Sequence, residues 1–352
     1  MRAPTTAAQE LPAPAPEAVP ARGYWRDVWR RFLDDRAAVA ALALLVFIVF
    51  SCFAGESIAS HFLGHGSDEL FPFATSDNLT PRGPFAWVPD VHSAYPPPNA
   101  HTPTTLFLLG ADGPTGRDEF LRLLSGGQIS LEIALGATLV AALIGITLGV
   151  LSGYFGGWAD SAVSAATEFA MAFPLLLLVI AIGQTIADRF DFVTLHGLFE
   201  PGVLSLSVVI GLFMWFHPAK IVRSLILTLR ESEFVEAARM TGASNRRIVV
   251  RHLLPHIAGP VLVWSTMVVA SVIVLEAALS FLNFGVKLPA ASWGTLLSAN
   301  WGTLLSFSNQ PPIQTTAWTM ALPAVCVFLT VLSLTLVGDG LRYALDPRGE
   351  GS

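Results

Sequence analysis

The residues with the clearest capacity for recognition lie in a charged segment between two apolar runs, from Arg223 to His256. Its first part, Glu233 to Met240, has the spacing of a short helix with alanines on one face and charged side chains beside them. Alanines let the backbone of a partner protein approach closely, and the flanking charges can fix its register. This part therefore predicts a contact surface for another protein.

Three residues predict where the helices of this segment begin and end. Gly242 is placed to end the first helix, because glycine enters the left-handed conformation without a side-chain penalty. Ser244 can cap a second helix through its hydroxyl, and Pro255 marks the turn into the next apolar run. The pattern predicts two short helices at an angle.

Catalytic and metal-binding patterns are absent from the sequence. It contains no glycine-rich phosphate loop ending in Lys-Ser or Lys-Thr, so the chain is not predicted to hydrolyse ATP itself. It has no His-Glu-x-x-His, and its eight histidines are scattered. Cys52 and Cys326 lie in separate apolar runs and are interpreted as buried free thiols. We predict no catalytic residue, no metal site, no cofactor bound by this chain and no nucleic-acid partner.

The elements that must position the segment are membrane spans. Only 13% of the residues are charged, against roughly 25% in soluble domains, so the chain is predicted to be solvated by lipid. Apolar runs of spanning length predict an all-α membrane protein with six transmembrane helices. The predicted spans are Ala37–Ala54, Ile133–Leu151, Ala162–Ala187, Val203–Phe216, Ile257–Leu282 and Ala317–Val337. The fourth run is the shortest and extends helically into Ile221–Leu229.

Basic residues predict the orientation of these spans. Of the 20 Lys and Arg residues, 15 fall on the side that holds both termini and the segment around Glu236. Membrane proteins keep such an excess in the cytoplasm, so both termini are predicted to be cytoplasmic.

The predicted spans divide the chain into regions. Residues 1–22 are predicted to be a disordered cytoplasmic tail, and 346–352 a second tail. Residues 23–54 hold the first span and the preceding stretch 24–36, which is either a helix at the membrane surface or an extension of the span. Residues 55–130 form an external segment, and 131–345 a core with five spans and the cytoplasmic loop 231–255. Prolines in the insert 64–105 favour irregular structure, which either contacts a substrate-delivering protein or only decorates the surface.

Two acids fall inside predicted spans. Glu168 precedes Pro174 in the third span, and Glu276 lies near the outer end of the fifth. Ionisable groups at this depth are costly and face the bundle interior or water. Both a pathway-lining role and helix–helix bonding are open, and we favour bonding. Pro174 is predicted to kink the third span.

Four ordered blocks of this sequence resemble the C-type permease of the dipeptide and oligopeptide importers, which are type I ABC importers. The first resembles that family's EAA loop, and three more lie near the outer ends of spans and at the C-terminus. The blocks are Glu236–Ala238 with Gly242, Ile248 and His252–Pro255; Leu109–Asp112 with Gly116–Asp118; Leu279–Leu282 with Gly285, Val286 and Ser292–Gly294; and Gly338–Arg342 with Ala344–Arg348.

The resemblance implies the rest of the machinery. The chain would be the permease subunit of an ATP-driven importer in the bacterial cytoplasmic membrane. It would pair with a homologous second permease, with two ATP-binding subunits that hold ATP and Mg, and with an extracytoplasmic substrate-binding protein. The residues expected at the ATPase-docking surface are Glu236, Ala237, Ala238, Gly242, Ile248 and Leu253. Those expected to form the external motif are Asp112, Gly116, Arg117 and Asp118.

The cargo is open at this level. Departures from the family pattern at Ala111, at Gln128 and between Asp112 and Gly116 cluster on the external side, where substrate and binding protein are selected. Peptides are the family default, and nickel chelates or peptide antibiotics are alternatives. An ion-coupled secondary transporter is a distant alternative, because no internal repeat or paired midplane charge is present.

Overall fold

The computed structural model describes residues 21–75, 81–93, 95, 98–99, 101–112, 115–183, 202–287, 289–306 and 313–345. Most of residues 1–22 and all of residues 346–352, the two predicted tails, lie outside them. The described part is mostly helical. Its helices are α1 (Ala21–Asp34), α2 (Arg36–Phe50), α3 (Glu56–Leu63), α4 (Glu119–Val150), α5 (Gly157–Met171), α6 (Leu175–Leu178), α7 (Val203–Leu212), α8 (Phe216–Leu229), α9 (Glu233–Met240), α10 (Asn245–Ile248), α11 (Leu254–Phe281), α12 (Trp293–Ser306) and α13 (Ile313–Leu345).

Four continuous helical stretches of the described chain are long and apolar enough to cross a membrane. They are Arg36–Leu63, Glu119–Phe155, Asn245–Phe281 and Ala317–Leu345. Turns of π-helix at Ser51–Gly55, Leu151–Phe155 and Val249–Leu253 lie within the first three. Two bent helix pairs pass the same criterion, so the chain has six spans if each pair is counted as one.

One bend falls at a proline, and the other lies within the fourth predicted span. α5 and α6 meet at an angle of 91° on either side of Pro174, whose extended ψ of 115° ends the helical path. Proline removes a backbone donor and clashes with the preceding turn, so the predicted kink is present and large. α7 and α8 meet at 49°, and the extension predicted for the fourth span corresponds to α8.

Glycines bring α4 close to α8. Gly145 and Gly149 of α4 and Gly153 of the π turn after it recur every four residues and face α8 or the residue just before it. A Cβ at Gly149 would lie 2.7 Å from the Ala219 carbonyl oxygen, closer than a Cβ approaches a non-bonded atom. Small residues at this spacing let two membrane helices pack backbone to backbone, which gains van der Waals contact that lipid cannot replace.

The N-terminal helix is separate from the first span. Asp35 breaks the helical path with φ −83° and ψ 100°, and its carboxylate accepts the amides of Ala37 and Ala38 at 2.9 and 3.2 Å. The alternative of a continuous extension of the span is therefore wrong. Val28 and Phe32 of α1 are buried in one cluster with Ala344 near the end of α13.

The external segment is more regular than predicted. Antiparallel strands β1 (Ala86–Pro89) and β2 (Thr104–Phe107) pair across it, with Ala86 opposite Phe107. A second pair joins β3 (Ala111–Asp112) to β4 (Arg117–Asp118). Strand edges tolerate proline where no ladder bond is needed, so Pro89 ends β1 without disrupting it. α4 also begins at Glu119, inside the stretch assigned to the external segment. α12 was not predicted.

Candidate functional site

The loop 231–255 folds as two capped helices, as predicted. Gly242 has φ +79°, and its amide donates to the Arg239 carbonyl at 2.9 Å while the Ala243 amide donates to Ala238 at 3.0 Å. These two bonds form a Schellman motif, which satisfies the last carbonyls of α9. The Ser244 hydroxyl then accepts the Arg247 amide at 3.4 Å and caps α10.

One face of the loop holds it against the spans. Val235, Ala238, Ile248 and Leu253 are buried. They pack in one cluster with residues of α4, α8 and α11 and of the π turn after α4, which are Val150, Tyr154, Val222, Ile226 and Ile257. Three of the six predicted docking residues, Ala238, Ile248 and Leu253, therefore face the chain's own helices. Their apolar surface is removed from water by the chain's own helices, which favours this arrangement.

Polar and aromatic contacts add to this attachment. The Tyr154 hydroxyl donates to Asn245 Oδ1 at 3.0 Å, and the Arg239 guanidinium lies 5.9 Å from the centre of the Tyr154 ring. The rings of Phe234 and His256 stack at 4.8 Å. The Arg230 guanidinium donates to the Gly153 carbonyl at 3.1 Å. The loop is thus bonded to the π turn after α4 and to the start of α11.

The exposed face of the loop contains the other predicted docking residues and one further candidate. Glu236, Ala237 and Gly242 are exposed, and so is Met240, with 79% of its surface accessible. Met240 lies four residues after Glu236 and three after Ala237, so the three share one side of α9. Helical spacing alone could have identified Met240. An exposed, flexible apolar side chain between small and charged residues is suited to contact a partner protein.

The predicted external motif forms a polar network at the opposite end of α4. Asp112 Oδ1 accepts the Arg117 amide at 3.0 Å, and its Oδ2 lies 2.7 Å from Arg122 Nε. Arg122 Nη1 also donates to Asp68 at 3.0 Å. Gly116 has φ +69°, and a Cβ there would collide with the Phe71 carbonyl oxygen. The motif therefore ties the external segment to the first turns of α4.

Asp118 couples that segment directly to a helix end. Its Oδ1 accepts the amides of Phe120 and Leu121 at 2.8 and 3.3 Å, which caps α4. Its Oδ2 lies 3.0 Å from Nε2 of buried His65. Burial lowers the pKa of His65, but the hydrogen bond and negative charge of Asp118 outweigh it and raise the pKa above its ordinary value.

The sequence matches two family models. Residues 145–350 match the binding-protein-dependent transport system inner membrane component, and residues 23–80 match the N-terminal transmembrane domain of oligopeptide transport permease C. The oligopeptide transport system permease protein OppC of Escherichia coli K12 is 34% identical over 330 residues, covering 94% of this chain and 93% of OppC. The OppC of Salmonella typhimurium LT2 is 35% identical with the same coverage. A putative peptide permease of Brucella ovis is 32% identical over 241 residues, covering 68% of this chain and 73% of its own.

The chain belongs to the family of inner membrane permeases of binding-protein-dependent transport systems. The resemblance drawn from its motifs is confirmed. The two matched regions of this permease include the first span and the loop 231–255, so the family identification and the described fold agree along most of the chain.

The two intramembrane acids of the permease have different surroundings. Glu276 is buried and accepts hydrogen bonds from Ser130 of α4 at 2.9 Å and from Ser280 at 2.7 Å. It bonds two helices together, as favoured above. Glu168 is exposed on α5, and its side chain has no hydrogen bond or ion pair with any residue the structure describes. The favoured alternative therefore fits Glu276 and not Glu168.

Proposed function

We propose that this permease is the C-type subunit of an ATP-driven importer of di- or oligopeptides. The observation that carries the proposal is similarity to OppC along 94% of the chain, which extends through both the loop and the external motif. Peptide transport is named for these relatives, and the same architecture serves here as one half of a translocation pathway. ATP and Mg are held by partner subunits, since the sequence has no phosphate loop.

The proposed assembly has this chain in the bacterial cytoplasmic membrane with both termini inside. It pairs with a homologous permease, docks one of two ATP-binding subunits through the loop 231–255, and receives cargo from an extracytoplasmic binding protein. The distribution of basic residues supports this orientation, because Lys and Arg are in excess on the side that holds the loop and both termini.

The geometry of the loop supports its role in coupling. Movement of an ATPase can act on the pathway only through an element that does not bend or detach under load. α9 and α10 meet this need, because both are capped and their inner face is buried against α4, α8 and α11. A push on Glu236 or Met240 is therefore transmitted to spans rather than absorbed in the loop. Two states with different contacts are required for such coupling.

The test is purification of the chain from its native membrane through a C-terminal tag, followed by reconstitution in liposomes. We expect ATP-binding subunits and a second permease to co-purify, and labelled peptide to accumulate only with ATP and the loaded binding protein. The cargo is read independently by mass spectrometry of the ligand on the native binding protein. Transport by the isolated chain without ATP would contradict the proposal and favour a secondary transporter. A nickel chelate or peptide antibiotic found on the binding protein would replace peptides as the assigned cargo.

A further inference from the structure

A charged residue is exposed within the third span. Glu168 lies eleven positions after Gly157, the start of α5, so it is about 16 Å along that helix. Ionisable side chains in spans are costly in lipid and face a bundle interior or a water-filled cavity. The face of α5 that carries Glu168 is therefore directed at water or at protein, and not at acyl chains.

A small groove runs beside Glu168, between α5 and α8. Its volume is about 70 Å³, and its lining includes Ser164, Thr167, Glu168, Lys220 and Arg223. The groove thus brings one acid and two bases from two spans to a common surface.

One of these bases is already neutralised. Arg223 Nη2 donates to Asp160 Oδ2 at 2.8 Å, and the Ser152 hydroxyl donates to the same carboxylate. Within the part of the chain that the structure describes, neither Glu168 nor Lys220 forms an ion pair, and the two are not paired with each other. The groove therefore presents one free negative and one free positive charge.

The neighbouring surface of α8 is polar except at Ile221, which is also exposed. His217, Lys220, Ser224 and Thr228 are exposed at helical spacing. α4 has a contrasting surface, where Leu135, Leu139 and Leu143 are exposed at intervals of four residues. The leucine face of α4 suits lipid, and the charged and polar side chains of α8 suit water or protein.

We propose that the groove between α5 and α8 lines the aqueous pathway, and that Glu168 and Lys220 contact the α-ammonium and α-carboxylate groups of a passing peptide. The inference rests on the proposed peptide function. A peptide with free termini carries one charge of each sign at its two ends, which matches the unpaired charges of the groove. In a groove filled with water, Glu168 and Lys220 attract the charged ends of a peptide only weakly, so the peptide can dissociate and move on.

The first experiment tests exposure to water and does not depend on the cargo. Cysteine is introduced at Glu168, at Lys220 or, as the lipid-facing control, at Leu139, in a chain whose Cys52 and Cys326 are replaced by alanine. The assembled transporter in liposomes is treated with a charged, water-soluble thiol reagent. We expect labelling at positions 168 and 220, its reduction during ATP-driven peptide import, and none at 139. Absence of labelling at 168 and 220 would overturn the pathway assignment.

The second experiment tests the contacts with peptide termini. Import of one peptide is compared in its free, N-acetylated and C-amidated forms, with a sequence that the binding protein retains in all three. We expect Glu168→Gln to lower import of peptides with a free ammonium about three- to fivefold relative to the N-acetylated form, the range of a solvated ion pair. Lys220→Gln should lower import of peptides with a free carboxylate by about the same factor relative to the C-amidated form.

Matched controls are Asp27→Asn and Arg30→Gln, which remove exposed charges from α1 and should leave all three rates unchanged. Equal loss of all three peptides in the groove variants would indicate contact with the partner permease and overturn the terminus contacts. Unchanged import in those variants would also overturn them. If the wild-type transporter imports no peptide in any form, the proposed function fails and this inference with it.

Discussion

Ser130 on α4 and Glu276 on α11 are joined by a buried hydrogen bond of 2.9 Å although 146 positions separate them. The Ser130 hydroxyl also accepts the backbone amide of Trp293, at 3.2 Å, at the start of α12. Trp293 in turn donates its indole N–H to the Leu123 carbonyl at 3.0 Å. Three helices therefore meet at one serine.

Glu276→Ala is expected to destabilise the permease, because it leaves the hydroxyls of Ser130 and Ser280 buried without this acceptor. Each buried unsatisfied group costs about 1–3 kcal/mol. Thermal unfolding of the detergent-purified complex measures the loss. In a double-mutant cycle, Ser130→Ala should reduce stability less in the Glu276→Ala background than it does in the wild type. Additive effects would show that the bond contributes nothing, and Glu231→Gln, at an exposed position, serves as the control.

Gly149→Ala is expected to disrupt the packing of α4 on α8. The added Cβ meets the Ala219 carbonyl oxygen and the Val222 side chain, and a backbone atom cannot move aside. Overpacking of this kind costs about 1–3 kcal/mol. The control is Gly259→Ala in α11, where the Cβ would make ordinary contact with Leu345 at 3.4 Å. Thermal stability and complex yield should fall for Gly149→Ala only, and equal behaviour of the two variants would contradict this packing role.

The external segment is expected to loosen as pH rises. The pKa of His65 is raised in the folded state, so its charged form stabilises the fold fully below the unfolded pKa of about 6.5. That stabilisation is lost as pH rises through the folded pKa. Asp118 and Glu69 are the titratable groups that act on the ring, which also contacts Thr105, Phe71 and Phe107.

Limited proteolysis of the external segment at pH 6 and pH 8 measures this effect. Cleavage of the wild type should accelerate at the higher pH, and His65→Gln should remove the difference. His92→Gln is the matched control, because His92 is exposed and its ion pair with Asp90 is solvated. A pH dependence that persists in His65→Gln would assign it to another group.

Local signals in the sequence predicted much of this structure. Apolar runs located the four continuous spans, Pro174 located the bend between α5 and α6, and Gly242 and Ser244 located helix ends of the loop. Each of these signals reflects the conformation of a few consecutive residues, which depends mainly on their own side chains.

Other features depend on contacts between distant parts of the chain. The partner of Glu276 could not be read from the sequence, because Ser130 is one of many serines in apolar surroundings. The inward orientation of Ala238 on α9 was not predicted for the same reason, since alanine is small enough to suit either face. Strands β1 and β2 escaped prediction because the prolines around them indicate turns, and only their pairing reveals the ladder.

Gly242→Val is expected to uncouple ATP hydrolysis from import. The residue has φ +79°, so a β-branched side chain forces the loop out of its Schellman turn, although no atom lies within 4 Å of the new Cβ. Peptide imported per ATP hydrolysed should fall several-fold, while Gly242→Asn, which tolerates this conformation better, should retain most of it.

Glu236→Lys should also reduce the amount of peptide imported per ATP hydrolysed, through reversed charge at the docking face. Gly83→Ala, at an open position, should have no effect, and normal coupling in Gly242→Val would contradict the proposed role of the loop in coupling.

Met240→Asp tests whether the exposed face of α9 is the docking surface. The side chain is 79% exposed in the single chain, so its replacement should leave the fold of the permease intact. If an ATP-binding subunit covers Met240, the new carboxylate is desolvated on binding, and the apparent affinity for the subunit should fall at least tenfold. The subunit should then be lost during purification. Met240→Leu should preserve binding, and Val250→Asp on the π turn after α10 tests how far the contact extends. Retention of the ATP-binding subunits by Met240→Asp would place the docking surface elsewhere on the loop.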